Sequence, residues 1–188
     1  VSITINELKV GVGLKIDNNI YVVLSINHVK PGKGSAFVRV RIRNITTDQV
    51  LERTFKSAEK LDEADLEERR LQYSYDAGDH LNFMDLSSYE EVSIPKAIIA
   101  EDINFLQEYM EIVGVCYKNK FLKVILPNFI IAEVKETDPG LKGDTAKSAG
   151  KPATIDTGAV VQVPLFIEVG DKLKIDTRSG DYVERMKQ

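Results

Sequence analysis

At 188 residues, 43% hydrophobic, 29% charged and 7% aromatic with no Trp, the chain can hold one domain or two to three small ones. Its net charge of -4 excludes a nucleic-acid binder that works through bulk positive charge. One cysteine, Cys116, forbids an intrachain disulfide and predicts a reducing compartment, and with His28 and His80 it cannot build a His/Cys metal cluster.

What recurs along the chain is the short strand bounded by Gly, Asn, Asp or Pro, the pattern of barrels and sandwiches. Ile20 to Ile26 is β-branched and follows Asp17-Asn18-Asn19. Val38-Arg39-Val40-Arg41-Ile42-Arg43-Asn44-Ile45 alternates with period two, which predicts a strand with one apolar and one basic face. Ala58 to Arg70 is charged and rich in helix formers, but its Leu61, Ala64 and Leu66 lack a helical stripe, so a strand end followed by a linker is expected. Leu71 to Tyr75 alternates, and Asp76-Ala77-Gly78-Asp79 turns the chain into Leu81 to Met84. Ile99, Ile103, Leu106 and Met110, with Pro95 near the opening, predict a helix. Phe121 to Leu126 and Phe129 to Val134 flank Pro127-Asn128. Lys172 to Asp176 alternates, turns at Arg178 to Asp181, and returns through Tyr182 to Met186.

Breaks near residue 64 and at Pro127 divide the chain into three units of roughly 60 residues. That size suits five-stranded barrels of the SH3 or OB kind, so the fold class is all-β. Residues 1–63 hold 10 basic and 7 acidic residues, hence +3; 64–126 hold 6 and 12, hence -6; 127–188 hold 9 and 10, hence -1. The positive charge is therefore local. Residues 28–43 carry Lys30, Lys33, Arg39, Arg41 and Arg43 and no acid. Within them Lys30-Pro31-Gly32-Lys33-Gly34-Ser35 predicts a tight turn with Lys33 between two glycines at its tip. A solvated hairpin tip is the plainer alternative. The spacing does not make a phosphate-binding P-loop, and no helix follows. Arg39, Arg41 and Arg43 fit phosphate contact and the wet side of a half-buried sheet equally well.

Four motifs in order resemble the bacterial elongation factor P family over all three units. They are Val29-Lys30-Pro31-Gly32-Lys33-Gly34-Ser35-Ala36-Phe37 with Thr54-Phe55-Lys56; Asp138-Pro139-Gly140-Leu141-Lys142-Gly143-Asp144-Thr145-Ala146; Lys151-Pro152-Ala153 with Gly158, Val163 to Ile167 and Gly170; and Asp176-Thr177-Arg178-Ser179-Gly180-Asp181-Tyr182-Val183-Glu184-Arg185. The resemblance implies an L-shaped chain with an SH3-like (KOW-like) barrel at 1–64 and OB-folds at 65–127 and 128–188. It implies a factor that sits on the ribosome, touching both subunits, between the peptidyl and exit sites. There it would position peptidyl-site tRNA and relieve stalling at consecutive prolines. Lys33 would be extended by a lysine-modifying enzyme, and its identity argues against the branch with a rhamnosylated Arg. Lys30, Pro31, Gly32, Gly34, Arg39, Arg41 and Arg43 would face tRNA and rRNA. Gly143, Asp144, Thr145, Ala146 and Lys147, with Tyr182 and Arg185, would face messenger RNA and the small subunit. The family usually has a small residue such as Gly where this chain has Lys147. The third unit separates the bacterial family from its hypusine-bearing relative in archaea and eukaryotes.

Two other function classes fit the residues less well. A general single-stranded nucleic-acid-binding OB protein calls for exposed aromatic platforms among the basic strands, and only Phe37 lies nearby. A small hydrolase would have Asp and Glu alone for acid-base work, in no recognisable pocket motif. No run is long enough to span a bilayer, and Val1 to Thr4 lacks the basic and apolar regions of a signal peptide. The expectation is a cytoplasmic monomer, not an enzyme, with no catalytic residue, metal or cofactor and no membrane partner.

Overall fold

The computed structural model describes residues 2–30, 36–56, 58–139 and 150–187. It is an all-β chain of sixteen strands in three antiparallel sheets among these residues. The first contains β1 (Ser2–Thr4), β2 (Gly13–Ile16), β3 (Asn19–Val29), β4 (Phe37–Asn44), β5 (Val50–Lys56) and β6 (Lys60–Glu63), in the order β1-β6-β2-β3-β4-β5. Its core is built from the inward rows of these strands: Leu14, Val23, Val40 and Ile42 are fully buried, with Ile5 from the short 3-10 turn Ile5–Glu7 packed among them.

The second sheet contains β7 (Leu66–Asp76), β8 (His80–Asp85), β9 (Glu91–Pro95), β10 (Glu111–Tyr117) and β11 (Lys120–Ile125), in the order β11-β10-β7-β8-β9. The third contains β12 (Phe129–Thr137), β13 (Lys151–Ile155), β14 (Val160–Val163), β15 (Lys172–Asp176) and β16 (Asp181–Arg185), in the order β14-β13-β12-β15-β16. Numbered from its own first strand, each of these sheets reads 3-2-1-4-5. That shared Greek-key order, with the first strand central, is the OB-fold arrangement. By packing, the chain forms two compact units: Val1–Arg69 with Gly114–Lys123, and Arg70–Val113 with Val124–Gln188.

Two expectations are corrected. The helix expected through Ile99, Ile103, Leu106 and Met110 is one α-turn, α1 (Lys96–Ile99), followed by the 3-10 segment Ala100–Phe105. Ala100 has φ +49° and Tyr109 φ +61°, backbone conformations through which a right-handed helix does not continue. Ile99 and Met110 still reach the core. Their spacing serves a folded crossover between strands as well as it serves a helix. The linker expected after the strand end at 58–70 shrinks to Ala64-Asp65, because Leu66 to Arg70 already belong to β7. Central placement in the second sheet overrides the helix propensity of Glu67-Glu68-Arg69-Arg70. Ala64 is itself buried, and its N–H donates to the Gly13 carbonyl at 2.9 Å. A Cβ on Gly13 would lie 2.2 Å from the Ala64 carbonyl, so the close approach requires glycine.

Candidate nucleic-acid interface

The basic strand takes the geometry that its pattern predicts. Along β4, Val38, Val40 and Ile42 are buried while Arg39, Arg41 and Arg43 are exposed. Successive arginines on that face lie about 7 Å apart, two strand residues each. On one side Asn27, Ser25 and Val22 of β3 stand opposite them, and on the other Thr54, Glu52 and Val50 of β5. Residues paired across an antiparallel ladder share a face, so this surface holds three guanidinium groups among mostly neutral neighbours.

Two carboxylates temper it. Glu52 approaches Arg39 at 3.3 Å, and the Asp48 carboxylate lies 3.9 Å from Arg43 Nε. Asp48 also binds the Lys123 ammonium of β11, so one carboxylate serves two cations. Its position is set by the β4–β5 turn. The Asn44 side chain accepts from the N–H groups of Thr46 and Thr47, the Asn44 carbonyl accepts from Asp48, and Asp48 adopts φ +57°. Arg41 has no carboxylate partner among the described residues; Glu52, directly across from it, turns to Arg39 instead. Exposed pairs such as Arg39–Glu52 contribute only about 0–1 kcal/mol, so a phosphate can displace the carboxylate at little cost. Neither Asp48 nor Glu52 was singled out from the sequence. Placing Glu52 needs only the alternation of Val50, Glu52 and Thr54 on β5, whereas placing Asp48 needs the turn.

Phe37 is half-buried, and the Arg39 guanidinium lies 5.9 Å from its ring centroid. It offers no open stacking platform. Lys30 is exposed at the end of β3. Pro31, Gly32, Lys33 and Gly34 lie outside the described residues, as do Gly143, Asp144, Thr145, Ala146 and Lys147.

The C-terminal sheet holds the other two expected contacts. Tyr182 is half-buried on β16 and Arg185 is exposed three residues on. Arg185 stacks over Phe166 at 5.5 Å and lies 3.4 Å from the Asp171 carboxylate. Leu165, Phe166 and Val169 beside it are exposed while Ile167 is fully buried, so this short segment is pinned by one residue. On the same sheet Phe129 is flanked by Lys174 at 5.0 Å and Arg178 at 5.8 Å. Arg178 also forks onto Asp176, and this side-chain hydrogen bonding lowers the Asp176 carboxyl to about 2. Among the described residues no three His, Cys, Asp or Glu side chains cluster as a metal site. No described helix is long and apolar enough to cross a membrane.

Three family models match the chain in sequence: an elongation factor P KOW-like domain at residues 4–61, an elongation factor P OB domain at 66–124, and the elongation factor P C-terminal domain at 130–185. Elongation factor P of Pelotomaculum thermopropionicum is 46% identical over 98% of this chain and 100% of its own length. The chain belongs to the elongation factor P family. It is a translation elongation factor, all-β, with a KOW/SH3-like plus OB arrangement. Elongation factor P of Desulfitobacterium hafniense is 45% identical over 97% of this chain and 99% of its own. Among solved structures, eukaryotic translation initiation factor 5A from Methanococcus jannaschii matches with TM-score 0.53 at 27% identity, covering 67% of this chain and 92% of that one. An initiation factor 5A family protein from Naegleria fowleri matches with TM-score 0.54 at 14% identity, covering 67% and 98%, which speaks for the fold alone.

Proposed function

We propose that this elongation factor binds the ribosome between the peptidyl and exit sites and positions peptidyl-tRNA for peptide transfer to proline. The observation that carries the reading is the β4 face, where three exposed arginines meet two carboxylates, one of them shared with Lys123. That face holds more arginines than carboxylates and lies on the strand that follows Lys33 in sequence. Proline reacts poorly in peptide transfer for geometric reasons, so orienting the peptidyl-tRNA is the useful intervention. Arg39, Arg41 and Arg43, with Lys30, Pro31, Gly32 and Gly34, dock the barrel on tRNA and rRNA backbone. Lys33 extends to the acceptor end, where its amine acts by reach and charge after a lysine-modifying enzyme has lengthened it. Gly143, Asp144, Thr145, Ala146 and Lys147, with Tyr182 and Arg185, contact messenger RNA and the small subunit. The functional units are 1–64, 65–127 and 128–188, and the matched family models at 4–61, 66–124 and 130–185 support that division. The acidic middle unit limits unspecific RNA binding. No residue is assigned a nucleophile, general-base or metal role, and the factor works as a cytoplasmic monomer.

The test is a reconstituted translation assay on a message with consecutive prolines. Lys33→Ala should abolish rescue. Lys33→Arg should fail as well, since it keeps the charge but loses the amine that is extended. Lys30→Ala should be milder. Full rescue by Lys33→Ala at low factor concentration would sink the assignment. Intact mass of the native protein reads the extension itself.

A further inference from the structure

The carboxylates beside the β4 arginines treat their neighbours differently. Glu52 approaches the Arg39 guanidinium at 3.3 Å. Asp48 Oδ1 stops 3.9 Å from Arg43 Nε, beyond hydrogen-bond length. The other carboxylate oxygen of Asp48 accepts from the Lys123 ammonium. A lysine of β11 therefore takes the acid that Arg43 would otherwise hold.

Local sequence sets the root of that acid. Asn44 is buried, its side-chain oxygen accepts from the N–H groups of Thr46 and Thr47, and its backbone pairs with Asp48 and Gln49. An Asx turn of this kind fixes the backbone that follows, and Asp48 takes φ +57°, a conformation that Asp and Asn tolerate. On so short a side chain the carboxylate has two cations to choose between. Residues 114–123 pack in the same compact unit as residues 1–69, and the Lys123 side chain is 28% exposed against 46% for Arg43. A partly shielded ammonium attracts a carboxylate through less water than an exposed guanidinium does, so the lysine pair is the less screened of the two. The choice matters for the arginine. A guanidinium forked onto a carboxylate has given up the N–H groups that a phosphate would take, because both anions fit the same fork. At 3.9 Å the acid lowers the local potential but does not fill the fork.

We propose that Lys123 is a positioning residue for the β4 face: by holding Asp48 it keeps the Arg43 fork open to a phosphate, without touching the RNA itself. The proposal rests on the reading that Arg39, Arg41 and Arg43 dock on RNA backbone, and adds to it a lysine from another sheet. The full chain is titrated with unacylated tRNA over a salt series, and the melting temperature of each variant is recorded. Arg43→Ala should bind about tenfold more weakly, with the salt slope lowered by roughly one. Lys123→Met keeps the stem but not the ammonium, so Asp48 closes on Arg43 and competes with the phosphate; binding should weaken about fivefold, the most that an exposed ion pair gives. Lys123→Arg should recover most of that loss. Asp48→Asn, which suits the left-handed backbone, should bind at least as tightly as the parent. In that background Lys123→Met should change the dissociation constant by less than about twofold, because no acid is left to close on Arg43. An equal loss in both backgrounds would make Lys123 a direct phosphate contact and overturn the proposal, as would no loss in either. If Arg41→Ala and Arg43→Ala both bind like the parent, the arginine-face reading falls and takes the proposal with it. If they weaken binding and Lys123→Met does not, the proposal alone is wrong. A marked drop in melting temperature for Lys123→Met would make the lysine structural and overturn the positioning role.

Discussion

Strands β4 and β15 read alike as sequence and differ as surfaces. Each alternates cations or acids with apolar residues, and each buries its apolar row completely: Val40 and Ile42 in one, Leu173 and Ile175 in the other. The outward rows diverge. On β15, Lys174 meets Glu184 at 3.2 Å, Asp176 holds Arg178 at 2.5 Å, and both cations lie over the Phe129 ring. Charge there is matched within the sheet. On β4 three arginines face two carboxylates, and Asp48 is divided between Arg43 and Lys123. Alternation determines which residues face out, but cross-strand partners decide whether the outward charge is left to attract an anion.

The largest test of this comparison is its shared half. Ile42→Ala and Leu173→Ala should each lose about 2–5 kcal/mol of stability in denaturant unfolding, because both delete methyl groups from filled interiors. A loss below about 1 kcal/mol at either position would mean that one inward row is not a filled core. The contrasting half comes next. Arg41→Ala should weaken binding to tRNA about tenfold and lower the salt slope by roughly one, as for a lost phosphate contact. Lys174→Ala should leave that affinity within about twofold, since its charge is already compensated. Equal effects of the two variants would erase the distinction. A smaller and opposite change is expected from Glu52→Gln, which frees Arg39: tRNA affinity should rise a few-fold, with stability unchanged to within about 0.5 kcal/mol.

The finest test concerns protons. Hydrogen bonding from Arg178 lowers the Asp176 carboxyl from 3.8 to about 2. Its stabilising contribution is therefore present above the unfolded carboxyl range and is lost as pH falls through about 2. Carboxyl NMR of the folded chain should show Asp176 titrating near that value, and Arg178→Ala should move the midpoint up towards 3.8. An unmoved midpoint would mean that the fork onto Arg178 does not persist in solution.

Legibility in the sequence followed locality. The arginine face was readable because a strand's two faces follow from residue parity alone, and β4, β15 and β16 took the positions their patterns predict. The helix expected near 99–110 is instead a crossover, because apolar spacing of three and four also fits a segment interrupted by positive φ at Ala100 and Tyr109. Left-handed backbone at Ala and Tyr leaves no mark in composition, where glycine would have left one. The partners of the basic face were only half readable: Glu52 follows from parity on β5, but Asp48 meets Lys123 across 75 residues.

The all-β class, the alternating faces and the concentration of positive charge in residues 28–43 are legible without the fold, since each depends only on neighbours along the chain. Which cations are compensated, the need for Gly13 to admit the Ala64 carbonyl, and the burial of Lys151 against the Asp138 carbonyl follow from tertiary contacts. Those outcomes depend on which strands become neighbours, and strand pairing is fixed by burial of the whole core rather than by any local stretch.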